Sequence, residues 1–291
     1  MTASAPATYR TLISAEQFRD LLSSGADLAI IDTRFDLADP AAGERAWHEG
    51  HLPGAIYLHL DRDLCGAKTG SDGAFRGRHP LPERRAFART LARCGITPAT
   101  QVVALDAQGG VYASRLWWML RWMGHADVAV LDGGLDAWTA AGGPLTTAAP
   151  TRPAAPDYPE RPPLVDTIDA TTLSRRLGTL ALVDARAGER FRGEVEPIDK
   201  AAGHIPGASN RFFKDNLGTN GRFKPADQLR AEFGALLGTR PGAEVVHQCG
   251  SGVTACHNLL AMEHAGLLGT LLYPGSWSEW SADPARPIAT G

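Results

Sequence analysis

One cysteine in a tight, glycine-bearing loop carries the most evident chemistry in this chain. The run is Val245-Val246-His247-Gln248-Cys249-Gly250-Ser251-Gly252-Val253-Thr254-Ala255-Cys256. Two β-branched valines lead in, which fits a buried parallel strand. Gly250 and Gly252 let the backbone curl without a Cβ penalty. From Val253 the pattern turns helical: Cys256, Leu259, Leu260 and Glu263 follow at three- and four-residue spacing, and Gly266 is a stop. Cys249 is thus expected at a strand-to-helix turn, where curling backbone N–H groups and a helix N-terminus stabilise negative charge on sulfur. Such a thiol is a nucleophile rather than the small buried hydrophobe that most free cysteines are.

A loop of this kind needs a rigid α/β scaffold, and the chain is long enough for two. Its 291 residues give room for two domains of about 145 each. Hydrophobic residues at 44% and charged residues at 21% are ordinary for a globular protein. The net charge of −3 gives no case for a nucleic-acid partner. No stretch approaches the ~18 uncharged apolar residues of a membrane span, so no membrane partner is expected. Met1 to Ile13 lacks the apolar centre of a signal peptide. The four cysteines, Cys65, Cys94, Cys249 and Cys256, are too few for a disulfide scaffold, and none forms a C-x-x-C pair. A reducing, cytoplasmic setting is expected. No His/Cys/carboxylate cluster argues for a metal and no glycine loop for a nucleotide, so no cofactor is expected.

The chain is a tandem duplication. Ile30-Ile31-Asp32-Thr33-Arg34 matches Leu182-Val183-Asp184-Ala185-Arg186. Gly50-His51-Leu52-Pro53-Gly54-Ala55 matches Gly203-His204-Ile205-Pro206-Gly207-Ala208. Gly110-Val111-x-Ala113 matches Gly252-Val253-x-Ala255, and Gly133 with Trp138 matches Gly275 with Trp280. Four matches in one order, at nearly constant offsets, mark two copies of one module. Between them, residues 148–163 carry Pro150, Pro153, Pro156, Pro159, Pro162 and Pro163, which reads as an extended, semi-rigid linker. The modules are then 1–147 and 164–291. In the first, strands are expected at Leu28 to Ile31, Gln101 to Leu105 and Val128 to Leu131, and helices at Arg84 to Arg93 and Ala113 to Met123. In the second, Leu180 to Asp184, Val245 to Gln248 and Thr270 to Tyr273 take the strand roles. Strands alternating with helices argue for a mainly parallel sheet covered on both faces, with ligands bound beyond the carboxyl ends of the strands.

On these motifs, and on Gly-Ser-Trp-Ser-Glu-Trp near the end, the chain resembles the two-domain rhodanese-like sulfurtransferases from Ile30 to Trp280. The resemblance implies an α/β fold of two tandem rhodanese-like domains, each a small, mainly parallel sheet flanked by helices. It also implies that only the second is catalytic: the first copy has Leu105-Asp106-Ala107-Gln108-Gly109-Gly110 at the loop and no thiol. Cys-Gly-Ser-Gly-Val-Thr is similar to the loop of the 3-mercaptopyruvate sulfurtransferases. Thiosulfate-preferring members carry basic residues where Gly250 and Ser251 stand. Related phosphatases need Cys-x5-Arg, and this chain has Ala255 at the arginine position.

The implied reaction passes through a covalent persulfide. Cys249 takes the sulfur of mercaptopyruvate, pyruvate leaves, and the sulfur goes on to a thiol such as thioredoxin or a small thiol, or to cyanide. The loop N–H groups of Gly250, Gly252, Val253 and Thr254 face the charge on sulfur. Arg190, in Gly188-Glu189-Arg190-Phe191, matches the family's substrate-binding arginine, whose fork grips a carboxylate. The mammalian enzymes have a second arginine after a Glu-Pro. Here Glu196-Pro197 is followed by Ile198, with Lys200 as the available point charge. Ser251, His79 and Asp61 match a serine, histidine and aspartate that relay a proton, the last two from the first module. Asp61 could instead cap a helix, and His79 could be a loop histidine. A thiosulfate:cyanide sulfurtransferase and a persulfide carrier fed by a partner protein are the alternatives, and a monomer suffices for all three. Asp32, Arg34, His51 and their counterparts Asp184, Arg186 and His204 occur in both copies, so a structural role is expected. Trp117, Trp118 and Trp122 at helical spacing read as core or interface, and His247 and His257 only flank the loop.

Overall fold

Parallel strands, each with a connection that folds back over the sheet, build both halves of the chain. The structure, a computed structural model, describes residues 7–291. The first sheet runs, edge to edge, Leu12–Ile13, Val128–Leu131, Gln101–Leu105, Leu28–Asp32 and Ile56–Tyr57. The second runs Asp166–Thr167, Leu271–Leu272, Val245–Gln248, Ala181–Asp184 and Ala208–Asn210. Every pairing is parallel, and the two strand orders are the same in sequence terms. The apolar runs form strands because both faces are covered: Val102 to Leu105 are fully buried, as are Val245 and Val246. Ile13, Phe18, Val103, Leu131 and Trp138 pack into one core, and Leu173, Leu182, Ile205, Val246, Trp277 and Trp280 into the other. Each such side chain contributes roughly 1.5–3 kcal/mol by leaving water. Trp117 and Trp118 are core residues of the helix Ala113–Trp122.

The repeated motifs do structural work in both copies. The Asp32 carboxylate accepts the backbone N–H of Arg34 at 3.0 Å and its Nε at 2.9 Å, and Arg34 Nη2 donates to Gly50 O at 2.8 Å. Asp184 and Arg186 repeat this, with Nη2 on Gly203 O at 2.8 Å. Asp-x-Arg therefore ties the end of a strand to the Gly-His-x-Pro-Gly turn. The histidine of that turn is held in turn: His51 stacks on Trp47 at 4.2 Å and His204 on Phe191 at 3.8 Å.

Two findings differ from the simple division at 147 and 164. The chain forms two compact units, but the second takes Cys65–Pro82 together with Val165–Gly291, while the first takes the chain up to Leu64 together with Glu83–Leu164. An excursion from the first half of the sequence thus packs into the second unit. The proline-rich stretch is extended, as its composition demands, but it is pinned along the first unit rather than spanning free. Arg152 donates to Leu28 O at 2.9 Å and Gly95 O at 2.8 Å, Ala155 N–H to Ala92 O at 2.8 Å, and Leu164 N–H to Arg121 O at 3.0 Å. Among the described residues, no helix is long and apolar enough to cross a membrane.

Candidate active site

The strand Val245–Gln248 lies between Leu271–Leu272 and Ala181–Asp184, so ladders on both sides fix its end and deliver Cys249 there. The loop then turns sharply at Gly252, whose φ of +79° is open to glycine and where a Cβ would come within 2.4 Å of Pro274 O. That turn brings the Gly252 N–H to Cys249 Sγ at 3.1 Å. The helix Thr254–His264 follows. Its N-cap is Val253, which has no side-chain acceptor for the first amides, so the positive end of the helix opens onto the loop. Cys249 itself is 2% exposed. The other nearby thiol is structural: Cys256 is buried and donates to Gly252 O at 3.3 Å.

A second segment buttresses the loop from Gly275 to Trp280. Cys249 N–H donates to Ser276 Oγ at 3.1 Å, and that hydroxyl donates to Tyr273 O at 2.9 Å. Trp277 N–H bonds Cys249 O at 2.9 Å and Ser278 N–H bonds Gly250 O at 2.9 Å. Ser276 holds φ at +52°, the left-handed region, and is the only non-glycine residue to do so among the described residues. The equivalent position of the first copy is Gly134, at φ +56°. The cysteine-bearing copy thus keeps a strained serine where the copy without a thiol has glycine, and the hydroxyl is what that strain secures.

Charged groups gather over the next residue. Arg190, in the short helix Gly188–Phe191, donates from Nη2 to Glu196 Oε1 at 2.7 Å and to Asp199 Oδ2 at 3.2 Å. Arg78, on the Cys65–Pro82 excursion, pairs with the same Asp199, and its backbone N–H bonds Ser278 Oγ at 3.1 Å. Burial opposes ionisation of Glu196, but the Arg190 guanidinium and the Asp199 and Ile198 amides outweigh it and hold the carboxyl below the usual range. A Cβ on Gly250 would lie 2.7 Å from Arg78 Nη2 and 3.5 Å from Arg190 Nη1. Two guanidiniums therefore border the residue that follows the cysteine. Lys200 is exposed, one residue beyond Asp199.

Ser251 Oγ and His79 Nδ1 share a hydrogen bond of 2.8 Å, and the two residues are 7% and 4% exposed. The structure thus brings together Cys249, Gly250, Ser251, Gly252, His79 and Arg190 in one unit. Val253 and Thr254 begin the helix behind them. Asp61 belongs to the first unit, in the helix Leu60–Asp63, where its N–H donates to His59 Nδ1 at 3.1 Å; the cap there is His59, not Asp61. His247 and His257 are fully buried, with Nε2 of the first 3.0 Å from Met262 Sδ and the second stacked on Phe223 at 4.5 Å. No group of three His, Cys, Asp or Glu side chains among the described residues could hold a metal ion.

Sequence reasoning missed Arg78, Asp199 and Ser276. Arg78 had a signal in its neighbour His79. Ser276 had one in the repeat of Gly133 and Trp138 by Gly275 and Trp280, which marks a shared turn with a changed residue inside it. Asp199 had none, since a buried ion pair leaves no periodicity.

Comparison with known proteins agrees with this geometry. The rhodanese-like domain family matches residues 14–141 and again 169–283. The chain is 50% identical over 284 residues to the "Probable 3-mercaptopyruvate sulfurtransferase" of Pseudomonas aeruginosa, covering 96% of this chain and 98% of that protein. It is 35% identical to human 3-mercaptopyruvate sulfurtransferase, covering 98% and 97%, and 31% identical to the thiosulfate sulfurtransferase of Gallus gallus, covering 95% of each. Among solved structures, the 3-mercaptopyruvate sulfurtransferase of Leishmania major superposes with a TM-score of 0.84 at 28% identity, over 96% of this chain and 76% of that one.

Proposed function

The chain belongs to the rhodanese family of sulfurtransferases, and from that premise we propose that it moves the sulfur of 3-mercaptopyruvate through Cys249 to a thiol or to cyanide. The Cys249 thiolate attacks the donor sulfur, the C–S bond breaks, and its electron pair stays on carbon as the pyruvate enolate. The proton of the donor S–H ends on that carbon, so pyruvate leaves and Cys249 carries an anionic persulfide. In the second half-reaction cyanide or a thiolate takes the outer sulfur and Cys249 returns as thiolate. The Gly252 N–H on Sγ and the helix N-terminus suit both anionic forms.

The observation that carries the choice of donor is the buried Ser251–His79 hydrogen bond. Cleaving a C–S bond needs a proton delivered to carbon. Taking the outer sulfur of thiosulfate needs none, because sulfite leaves as a stable anion. A hydrogen-bonded serine–histidine pair beside the thiol supplies that delivery. Asp61 enters the relay on sequence resemblance alone. Gly250 and Ser251, in place of basic residues, favour the same donor. The setting is a reducing cytoplasm and the acceptor a small thiol or a thioredoxin; one chain supplies every group named.

Steady-state kcat/KM with each donor and cyanide tests this. The expected result is a preference for mercaptopyruvate, many turnovers with no partner protein, and loss of both activities in Cys249→Ser. Ser251→Ala should cost roughly 10²- to 10⁴-fold with mercaptopyruvate and far less with thiosulfate. A thiosulfate preference, or equal losses with the two donors, overturns the assignment. A single turnover that needs a partner protein to continue supports the carrier reading instead.

A further inference from the structure

One serine holds both members of the buried Ser251–His79 pair through their neighbours. The Ser278 N–H bonds the carbonyl of Gly250, the residue before Ser251, at 2.9 Å. Its hydroxyl oxygen accepts the N–H of Arg78, the residue before His79, at 3.1 Å. The single hydrogen of that hydroxyl goes to Gly275 O at 3.1 Å, so the oxygen faces Arg78 as an acceptor. Ser278 is 4% exposed and sits in the short helix Ser276–Trp280. In the copy without a thiol the matching residue is Asp136, and it is exposed.

The Cys65–Pro82 excursion needs such a tie. Its two arms close on each other, with Gly66 N–H on Pro80 O at 2.9 Å and Arg76 N–H on Lys68 O at 2.8 Å, and these bonds do not orient it on the cysteine loop. The ion pair with Asp199 holds the long Arg78 side chain rather than the backbone. Gly77 lies directly on the same turn: its φ is +98°, and a Cβ there would come within 2.7 Å of Gly275 O and 3.1 Å of Ser278 Oγ. On the other side, Pro80 confines His79 to extended backbone. With the Arg78 N–H anchored and the next residue so restricted, the imidazole is directed to Ser251 Oγ at 2.8 Å. We propose that Ser278 is the positioning residue of the Ser251–His79 pair: its amide sets one partner, its hydroxyl sets the other, and it does so without touching the donor. The pair acts as a proton relay in the proposed function, and the assignment of Ser278 rests on that reading.

Ser278→Ala removes the hydroxyl and keeps the amide. At saturating mercaptopyruvate its kcat should fall roughly 10-fold, the cost of a misaligned proton transfer, while turnover of thiosulfate with cyanide stays within about twofold. In a His79→Asn background the same change should cost less than about twofold with mercaptopyruvate, because the group being positioned is gone. The ring-nitrogen NMR signals of His79, assigned by their loss in His79→Asn, should move in Ser278→Ala as they do in Ser251→Ala. Ser278→Thr keeps the oxygen and should bring both the signals and the rate back toward wild type. Gly77→Ala pushes the same contact apart from the excursion side, and it carries the same readouts should Ser278→Ala fail to fold. Equal falls with the two donors, the full loss in the His79→Asn background, or unmoved His79 signals overturn the proposal. If the His79 signals move but mercaptopyruvate is no donor, the positioning role stands and the proposed function fails.

Discussion

Replacing Ser276 separates the strain of its backbone from the use of its hydroxyl. In Ser276→Ala the left-handed φ of +52° remains, while the buried Cys249 N–H loses its acceptor at 3.1 Å and Tyr273 O its donor at 2.9 Å. Two unsatisfied buried groups at about 1 kcal/mol or more each give a loss of roughly 2–3 kcal/mol. In Ser276→Gly the same bonds are lost, but the left-handed conformation no longer costs the ~1 kcal/mol of a Cβ, so the loss is about 1–2 kcal/mol. At roughly 2–4 °C per kcal/mol, the melting midpoint should fall by about 4–12 °C for alanine and by a few degrees less for glycine. Sulfur loading of Cys249 should slow in both, because the cysteine amide is no longer held. Scanning calorimetry and a stopped-flow loading assay read the two effects. An alanine variant as stable as wild type, or a glycine variant less stable than alanine, refutes the claim that strain is kept here for the hydroxyl.

Three further outcomes follow from the geometry. Burial pushes His247 down to about 3 from its usual 6.5, so the native chain stays neutral there while the unfolded chain takes a proton. Stability should therefore fall as pH drops below about 6.5, with up to about 1.4 kcal/mol per pH unit from this residue, and urea titrations of His247→Phe should show a flatter acid limb; an unchanged slope contradicts the assignment. In the first copy, the buried Asp106 carboxylate accepts N–H groups from Gln108 at 2.9 Å, Gly110 at 2.9 Å, Tyr112 at 2.8 Å and Ala113 at 3.0 Å, and Asp106→Ala should cost at least about 3 kcal/mol in thermal or urea unfolding, with a neutral result refuting it. Gln248 stands at the equivalent position of the second copy, so Gln248→Asp should turn the loop amides toward a carboxylate and slow loading of Cys249 at least about tenfold, a change of 1.4 kcal/mol in the barrier; an unchanged rate argues that the amides are not shared.

The Asp106 arrangement also sets the two loops apart. The first loop satisfies its curled amides with its own carboxylate. The second has a neutral glutamine before the cysteine and presents an amide to sulfur instead. That difference was legible in sequence as a missing thiol, but not as a filled cradle.

Central strands were the most legible elements. Gln101–Leu105, Val128–Leu131 and Val245–Gln248 match their expected bounds, because a strand buried on both faces reads as an unbroken apolar run. Leu271–Leu272 is shorter than the expected Thr270 to Tyr273, since burial of the two flanking residues does not extend the ladder. Edge strands such as Leu12–Ile13 and Ile56–Tyr57 are too short for any period to show. At the site, Cys249 and its turn followed from glycine placement and helix spacing. The His79–Ser251 contact was expected only through resemblance, and no local pattern announces that Cys65–Pro82 folds into the second unit. The partners of Arg78 were hidden for that reason, since Asp199 and Ser278 lie more than a hundred positions away.

Intact-mass spectrometry of the protein mixed with mercaptopyruvate, before any acceptor is added, tests the central claim most directly. A gain of one sulfur atom on Cys249, with stoichiometric pyruvate, removal by cyanide and no gain in Cys249→Ser, is the expected result. Pyruvate released with no sulfur on Cys249, or the same gain in the serine variant, contradicts it.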